Sequence, residues 1–100
     1  MITRVWHGRT SLKDAPKYLS FLLTKGTSDY KKIEGNLSVK VWQRIDSDCS
    51  HFYTVTEWTN IDAIKKFAGE DYNKAVYYPE DQGTLLEFEP RVSHYESFVV

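Results

Sequence analysis

The sequence holds a single cysteine, Cys49, among 100 residues. One thiol forms no internal disulfide and builds no thiolate metal cage alone, so the chain is expected to be held by packing in a reducing compartment, the cytoplasm. Its glycines, Gly8, Gly26, Gly35, Gly69 and Gly83, are scattered. That excludes a dinucleotide fingerprint and a phosphate loop. No apolar run approaches the ~18 residues of a membrane span, and Arg4, His7 and Arg9 interrupt the stretch where a secretory leader needs an apolar core. Neither charge sign is in excess: 13 Lys and Arg face 14 Asp and Glu, a net charge of −1. A chain so nearly neutral lacks the broad field expected of a nucleic-acid or anionic-membrane binder. His7, His51 and His94 are far apart, and neither HExxH nor CxxC occurs. Spacing therefore gives no metal site, and no metal or other cofactor is expected.

Apolar and aromatic residues are abundant, at 41% and 15% of the chain. A chain of this length supports one domain, residues 1–100, but buries only about two-thirds of its unfolded surface. So many aromatic rings predict a second place of burial, in a ligand pocket or between subunits.

Periodicity orders the elements. Ile2 to Thr10 mixes β-formers on both faces and predicts a central strand. Asp14 and Pro16 open a helix whose apolar face is Ala15, Tyr18, Leu19 and Leu22, with Gly26 as its C-terminal cap. Thr27 to Glu34 is polar and leads to a Gly35-Asn36 turn. Leu37 to Ile45 alternates as a half-buried strand, and a hairpin loop, Asp46 to Ser50, joins it to a return strand, Phe52 to Trp58. Asn60 caps a short helix carrying Ile61, Ile64, Phe67 and Ala68, ended by Gly69. An aromatic segment follows, with a helical turn expected at Asn73 to Val76. Leu85 to Glu89 and Val92 to Phe98 supply the last strand material, divided by Pro90.

This βαββαβ order with right-handed crossovers predicts an α+β, ferredoxin-like antiparallel sheet in the order four, one, three, two. Two helices cover one face only. Apolar and aromatic residues on the other predict a homodimer through sheet-to-sheet packing. The same topology would suit an RNA-recognition domain, but Ser50 to Glu57 lacks the glycine and basic start of its third strand, which argues against RNA.

Strand pairing brings His7 toward His94 if the register allows, and a neutral imidazole in an apolar site can serve as general base. Trp6, Phe67, Tyr72, Tyr77 and Tyr78 are candidates to line a flat apolar pocket for an aromatic ligand, and Trp42 and Trp58 read as packing residues. Asp81 reads as a loop cap. Arg4 and Arg9 on the central strand need partners if buried, Glu57 and Glu96 being the candidates.

The segments Val5-Trp6-His7-Gly8-Arg9-Thr10, Gly35-Asn36, Trp58 to Gly69, Tyr78-Pro79-Glu80-Asp81 and Val92-Ser93-His94-Tyr95-Glu96 resemble the antibiotic-biosynthesis monooxygenase-like family over nearly the whole chain. The resemblance implies a dimeric α+β barrel. It also implies a cofactor-independent monooxygenase acting with dioxygen on an electron-rich aromatic or quinol-type molecule, with His94 or His7 as base and Trp6, Tyr53, Phe67 and Tyr77 framing the substrate. The alternative it leaves is a non-catalytic small-ligand-binding or stress-related barrel. For the haem-degrading branch it implies a mismatch: the axial histidine position falls on Val76 after Ala75, and its aromatic partner falls near Phe67.

Overall fold

The computed structural model describes residues 1–100. Its elements are β1 (Ile2–Ser11), α1 (Ala15–Leu23), α2 (Lys25–Lys31), β2 (Asn36–Ile45), β3 (Cys49–Trp58), α3 (Ile61–Ala68), a 3-10 turn (Pro79–Asp81) and β4 (Ser93–Glu96). The sheet runs β2-β3-β1-β4, with each adjacent pair antiparallel. This is the expected ferredoxin-like α+β order of four, one, three, two.

Alternation along β1 divides the sheet. Arg4, Trp6, Gly8 and Thr10 are buried toward the helices, while Thr3, Val5, His7 and Arg9 face the uncovered side. Register carries the division to β3: Thr56, Thr54, Phe52 and Ser50 stand opposite the first set, and Glu57, Val55, Tyr53 and His51 opposite the second. Beneath α1 lies one apolar cluster, built on Trp6, Tyr18, Leu22 and Phe52. A second, beneath α2 and α3, holds Tyr30, Trp58, Ala63 and Ile64. Trp58 is fully buried, whereas Trp42 on the uncovered face is 54% exposed.

Several local expectations are corrected. Gly26 does not cap α1: Thr24 does, and Gly26 enters α2, a helix that the polar residues Thr27 to Lys31 do not advertise. Tertiary burial holds it, because Tyr30 packs on Trp58 and Thr27 Oγ1 donates to the Leu22 carbonyl at 2.8 Å. Asp14 stands at the N-terminus of α1 with no side-chain cap bond. β3 begins at Cys49, because the hairpin closes through Asp46 N–H donating to the Cys49 carbonyl at 2.9 Å. No helical turn forms at Asn73 to Val76; Lys74 instead makes an isolated bridge to Arg91. Leu85 to Glu89 is not a strand either. It runs beside β1 through one bridge, Thr10 to Leu85, and the Leu86 N–H donates to the Arg9 carbonyl at 2.9 Å.

Two punctuation marks hold. Asn60 Oδ1 accepts the Ala63 N–H at 2.9 Å, capping α3, and Gly69 ends it at φ +87°. Gly35 sits at φ +98°, where a Cβ would lie 2.6 Å from the Cβ of Ala63. Positive φ and that contact together allow no side chain where β2 leaves the helices. Gly35→Ala is expected to lower unfolding stability by about 2 kcal/mol or more, read from the urea midpoint at unchanged slope.

Candidate functional site

The structure separates the two candidate bases. β4 pairs with β1 so that His94 stands opposite Arg4, on the helix side, while His7 stands opposite Tyr53 on the uncovered side. The expected His7–His94 constellation does not form, because the register is one that sends the rings to opposite faces.

On the helix side, β1 presents Arg4, which is 1% exposed. Its charge has no carboxylate. Glu57, one expected partner, lies on the other face and accepts from Ser38 Oγ at 2.8 Å; Glu96, the other, pairs with the chain's N-terminal ammonium at 3.3 Å. The guanidinium instead donates to the Lys74 carbonyl at 3.3 Å and the Tyr30 hydroxyl at 3.5 Å, and stands 5.3 Å from the centre of the Phe67 ring. Its Nε is buried with no partner. Burial pushes the guanidinium below its ordinary pKa, with the Tyr30 hydroxyl acting in the opposite direction.

His94 adjoins it on β4. Its Nδ1–H donates to Asn73 Oδ1 at 3.0 Å, the Tyr72 ring meets it edge-on at 5.2 Å, and Nε2 is buried without a partner. Burial, and secondarily the Arg4 charge, push the His94 pKa down to about 4. The ring is therefore neutral at pH 7, with the Nε2 lone pair free. An unpartnered acceptor and an unpartnered cationic donor thus stand side by side, a pair suited to a hydroxyl that gives up its proton and remains as an anion.

Phe67 leads outward from this pair. With Asp29, Lys32, Ile33, Lys66, Val76 and Tyr78 it lines a cleft of about 300 Å³ between α2, α3 and the segment after α3. Val76 and Phe67, the positions that the resemblance sets against an axial histidine and its aromatic partner, share this cleft. The Tyr78 hydroxyl donates to Asp29 at 2.9 Å, and burial followed by that carboxylate drives its pKa well up, so it remains protonated. A second cavity, deeper and sharing Val76 and Tyr78, is filled by Trp6, Tyr18, Phe21 and Tyr30 to the point of leaving about 10 Å³, room for one water. Trp6 belongs to this packed core, with Tyr77 edge-on at 6.2 Å. Tyr77 donates to the Glu89 carbonyl at 2.6 Å. Asp81 is a cap, as expected: Oδ2 accepts the Tyr78 N–H at 2.7 Å, and Oδ1 accepts the buried Tyr18 hydroxyl at 2.8 Å.

On the uncovered side His7 heads a polar cluster. Its Nδ1 meets the Glu89 carboxylate, its Nε2 lies 2.9 Å from His51 Nδ1, and Tyr53 packs on its ring at 4.8 Å. His51 was not singled out from the sequence. The signal was present, since strand alternation places Cys49 and His51 on one face across from Ser11 and Arg9. Arg9 finds Glu87 at 2.7 Å rather than either expected partner, and that bond raises its pKa.

No family model matches the chain, and no curated protein matches it in sequence. Solved structures do. A Bacillus cereus protein proposed to be an antibiotic biosynthesis monooxygenase superposes with a TM-score of 0.68 at 10% identity, over 99% of this chain and 96% of its own. A conserved protein from Methanosarcina mazei Go1 also gives 0.68, at 16% identity, over 97% and 92%. A variant of MhuD carrying two manganese protoporphyrin IX molecules per active site gives 0.59 at 10% identity, over 100% and 97%. The chain has the fold of these proteins. At such identity the likeness carries the architecture alone.

The unpartnered His94 makes stability depend on pH. Its folded pKa, about 4, lies below the ~6.5 of an unfolded histidine, so the unfolded chain takes up the proton first as pH falls. The expected contribution is full above pH ~6.5 and is lost progressively toward pH 4. Urea midpoints of the native chain and His94→Phe across that window check it, the variant losing less on acidification.

Proposed function

We propose that the protein is a monooxygenase-like member of the antibiotic-biosynthesis monooxygenase group that takes an electron-rich phenol, quinol or anthrone in the Phe67 cleft. The single observation that carries this is the buried, carboxylate-free Arg4 beside the vacant Nε2 of His94. In this reading the aromatic body enters between Phe67 and Tyr78, and Phe67 turns aside to admit its hydroxyl. His94 Nε2 accepts the hydroxyl proton, and Arg4 holds the resulting oxyanion where little water reaches.

The enolate or phenolate then donates to dioxygen. In an anthrone, or in the keto form of a phenol with a free ring position, the methylene carbon gains one oxygen as a carbonyl and loses both hydrogens, which leave with the second oxygen atom as water. The substrate supplies all the electrons, so the step is written without a cofactor. Lys32 and Lys66 line the cleft against one carboxylate, Asp29, which stands 3.8 Å from Lys32 Nζ, and the excess positive charge favours the anion. Tyr77, Trp6 and Tyr53 do not line the cleft in this state, and His7 lies behind the sheet; their proposed roles are to support the floor and the opposite face. Haem degradation gains no support from the cleft, since Val76 offers no nitrogen and the Tyr78 hydroxyl is taken by Asp29.

A second reading, a ligand-binding barrel without turnover, is favoured by the filled inner cavity and by the absence of any histidine from the lining of either cavity. Dioxygen uptake over hydroquinones, naphthoquinols and anthrones separates the two. Catalysis predicts uptake above autoxidation that falls ~10²-fold or more in His94→Ala. Binding without uptake, lost in Arg4→Met, establishes the second reading. Because a buried unpaired cation costs stability, Arg4→Met is expected to fold with an unchanged or raised melting temperature while losing ligand. A melting temperature that collapses would show that Arg4 serves the fold instead.

The uncovered face, with Trp42 54% and Tyr95 56% exposed, is proposed to pack on a second copy of the chain in a reducing, cytoplasmic setting. Sedimentation at micromolar concentration is expected to show a dimer that Trp42→Glu dissociates; a monomeric native chain would exclude it.

A further inference from the structure

The cluster behind His7 has a donor and acceptor imbalance that the oxygenase reading does not use. Glu89 only accepts, so the hydrogen between it and His7 belongs to His7 Nδ1. A neutral His7 then has a lone pair at Nε2, which takes the hydrogen of His51 Nδ1 across 2.9 Å. A neutral His51 is left with a lone pair at Nε2, and that atom points at Asp46 Oδ2, 2.7 Å away, and at Cys49 Sγ, 3.6 Å away.

Three ligand atoms, one nitrogen, one oxygen and one sulfur, all lie within 4.8 Å of one another. The gap between them is filled by a proton, on His51 Nε2 or as the Cys49 thiol hydrogen, or by a metal ion that displaces it.

We propose that Asp46, Cys49 and His51 form a site for a divalent transition-metal ion of the zinc class. Mixed nitrogen, sulfur and carboxylate ligation is the chemistry of that class, and carboxylate, thiolate and neutral imidazole sum to two negative charges against its two positive. The outer contacts fit a ligand set held in place. His51 is oriented by His7 and His7 by Glu89, the relay that fixes a metal-binding imidazole from behind. Asp46 gives its other oxygen to Arg44 at 3.1 Å and so keeps Oδ2 turned inward. Arg9 Nη1 donates to Cys49 Sγ at 3.8 Å and fixes the direction of the sulfur. Three protein ligands leave a fourth position to water. Spacing alone shows none of this, because Asp46 lies before the hairpin turn and Cys49 and His51 after it.

Cobalt(II) is the probe. Titrated under argon into the purified protein in non-chelating buffer with a phosphine reductant, it is expected to give a thiolate-to-cobalt charge-transfer band and tetrahedral ligand-field bands. Both should saturate at one ion per chain and be displaced by zinc. Cys49→Ser should abolish the charge-transfer band. His7→Ala should keep the stoichiometry and weaken binding ~10–100-fold, the effect of losing an outer-shell partner. Asp46→Asn, at the exposed turn, guards against loss of fold: zinc should raise the melting temperature of the native chain and not of this variant. Absence of a charge-transfer band, binding unaltered by Cys49→Ser, or uptake of many weakly held ions would each overturn the site and leave a proton in the gap.

Discussion

Arg4 is the constraint around which the helix side of the molecule is arranged. A guanidinium removed from water costs several kcal/mol unless a counter-charge repays it. Here the repayment is two neutral oxygens and the face of Phe67. Tyr30 reaches Arg4 and Thr54 with one hydroxyl, at 3.5 and 3.3 Å, which ties α2 to the sheet. Lys74 gives its carbonyl and so fixes the irregular chain after α3 against β1. Three separate elements therefore converge on a cation they satisfy incompletely. A core that needed only stability would be served better by an apolar residue at that position.

The strand order was legible, because strand-helix-strand units admit one handedness and Gly35, Asn60 and Gly69 mark the element ends by backbone geometry that few other residues supply. α2 was not. Its residues, Gly26, Thr27, Ser28 and Asp29, disfavour a helix locally, and the helix exists because Tyr30 packs against Trp58 and Phe67. The pairing register was equally hidden. It rests on where β4 starts, and β4 is four residues long. That one quantity decided that His94 joins Arg4, and the β1–β3 register decided that His7 joins His51, a residue with no motif to single it out.

The sheet thus separates two kinds of polar chemistry by the pleat alone. Even-numbered β1 residues place one unpaired cation in an apolar layer, where each hydrogen bond is electrostatically strong and each vacancy costly. Odd-numbered residues place His7 and Arg9 among carboxylates, where each side chain has a polar partner: Glu89 for His7, Glu87 for Arg9, Asp46 for the neighbouring His51. A one-residue slip of β1 would exchange the two sets and leave both faces unbalanced. Register, helix burial and electrostatics therefore specify the same pairing from three directions.

The same division bears on the route that the proposed substrate would take to Arg4. The walls of the cleft differ in regularity: α2 and α3 are held by their packing on Tyr30, Trp58 and Ile64, whereas the chain from Glu70 to Tyr78 is anchored by isolated contacts, the Lys74 bridge to Arg91, the Ala75 N–H to the Pro90 carbonyl at 2.9 Å and the Tyr78 hydroxyl to Asp29. Its Lys74 carbonyl, Asn73 amide oxygen and Tyr77 hydroxyl add single bonds to Arg4, His94 and Glu89 but no ladder, and two of its residues, Val76 and Tyr78, also line the second cavity. In the proposed reading, a shift of this segment, rather than of a helix packed on Trp58, brings the substrate to Arg4. The less regular wall is the one whose Lys74 carbonyl meets the incompletely satisfied charge, so in that reading an oxyanion replaces a neutral oxygen on Arg4.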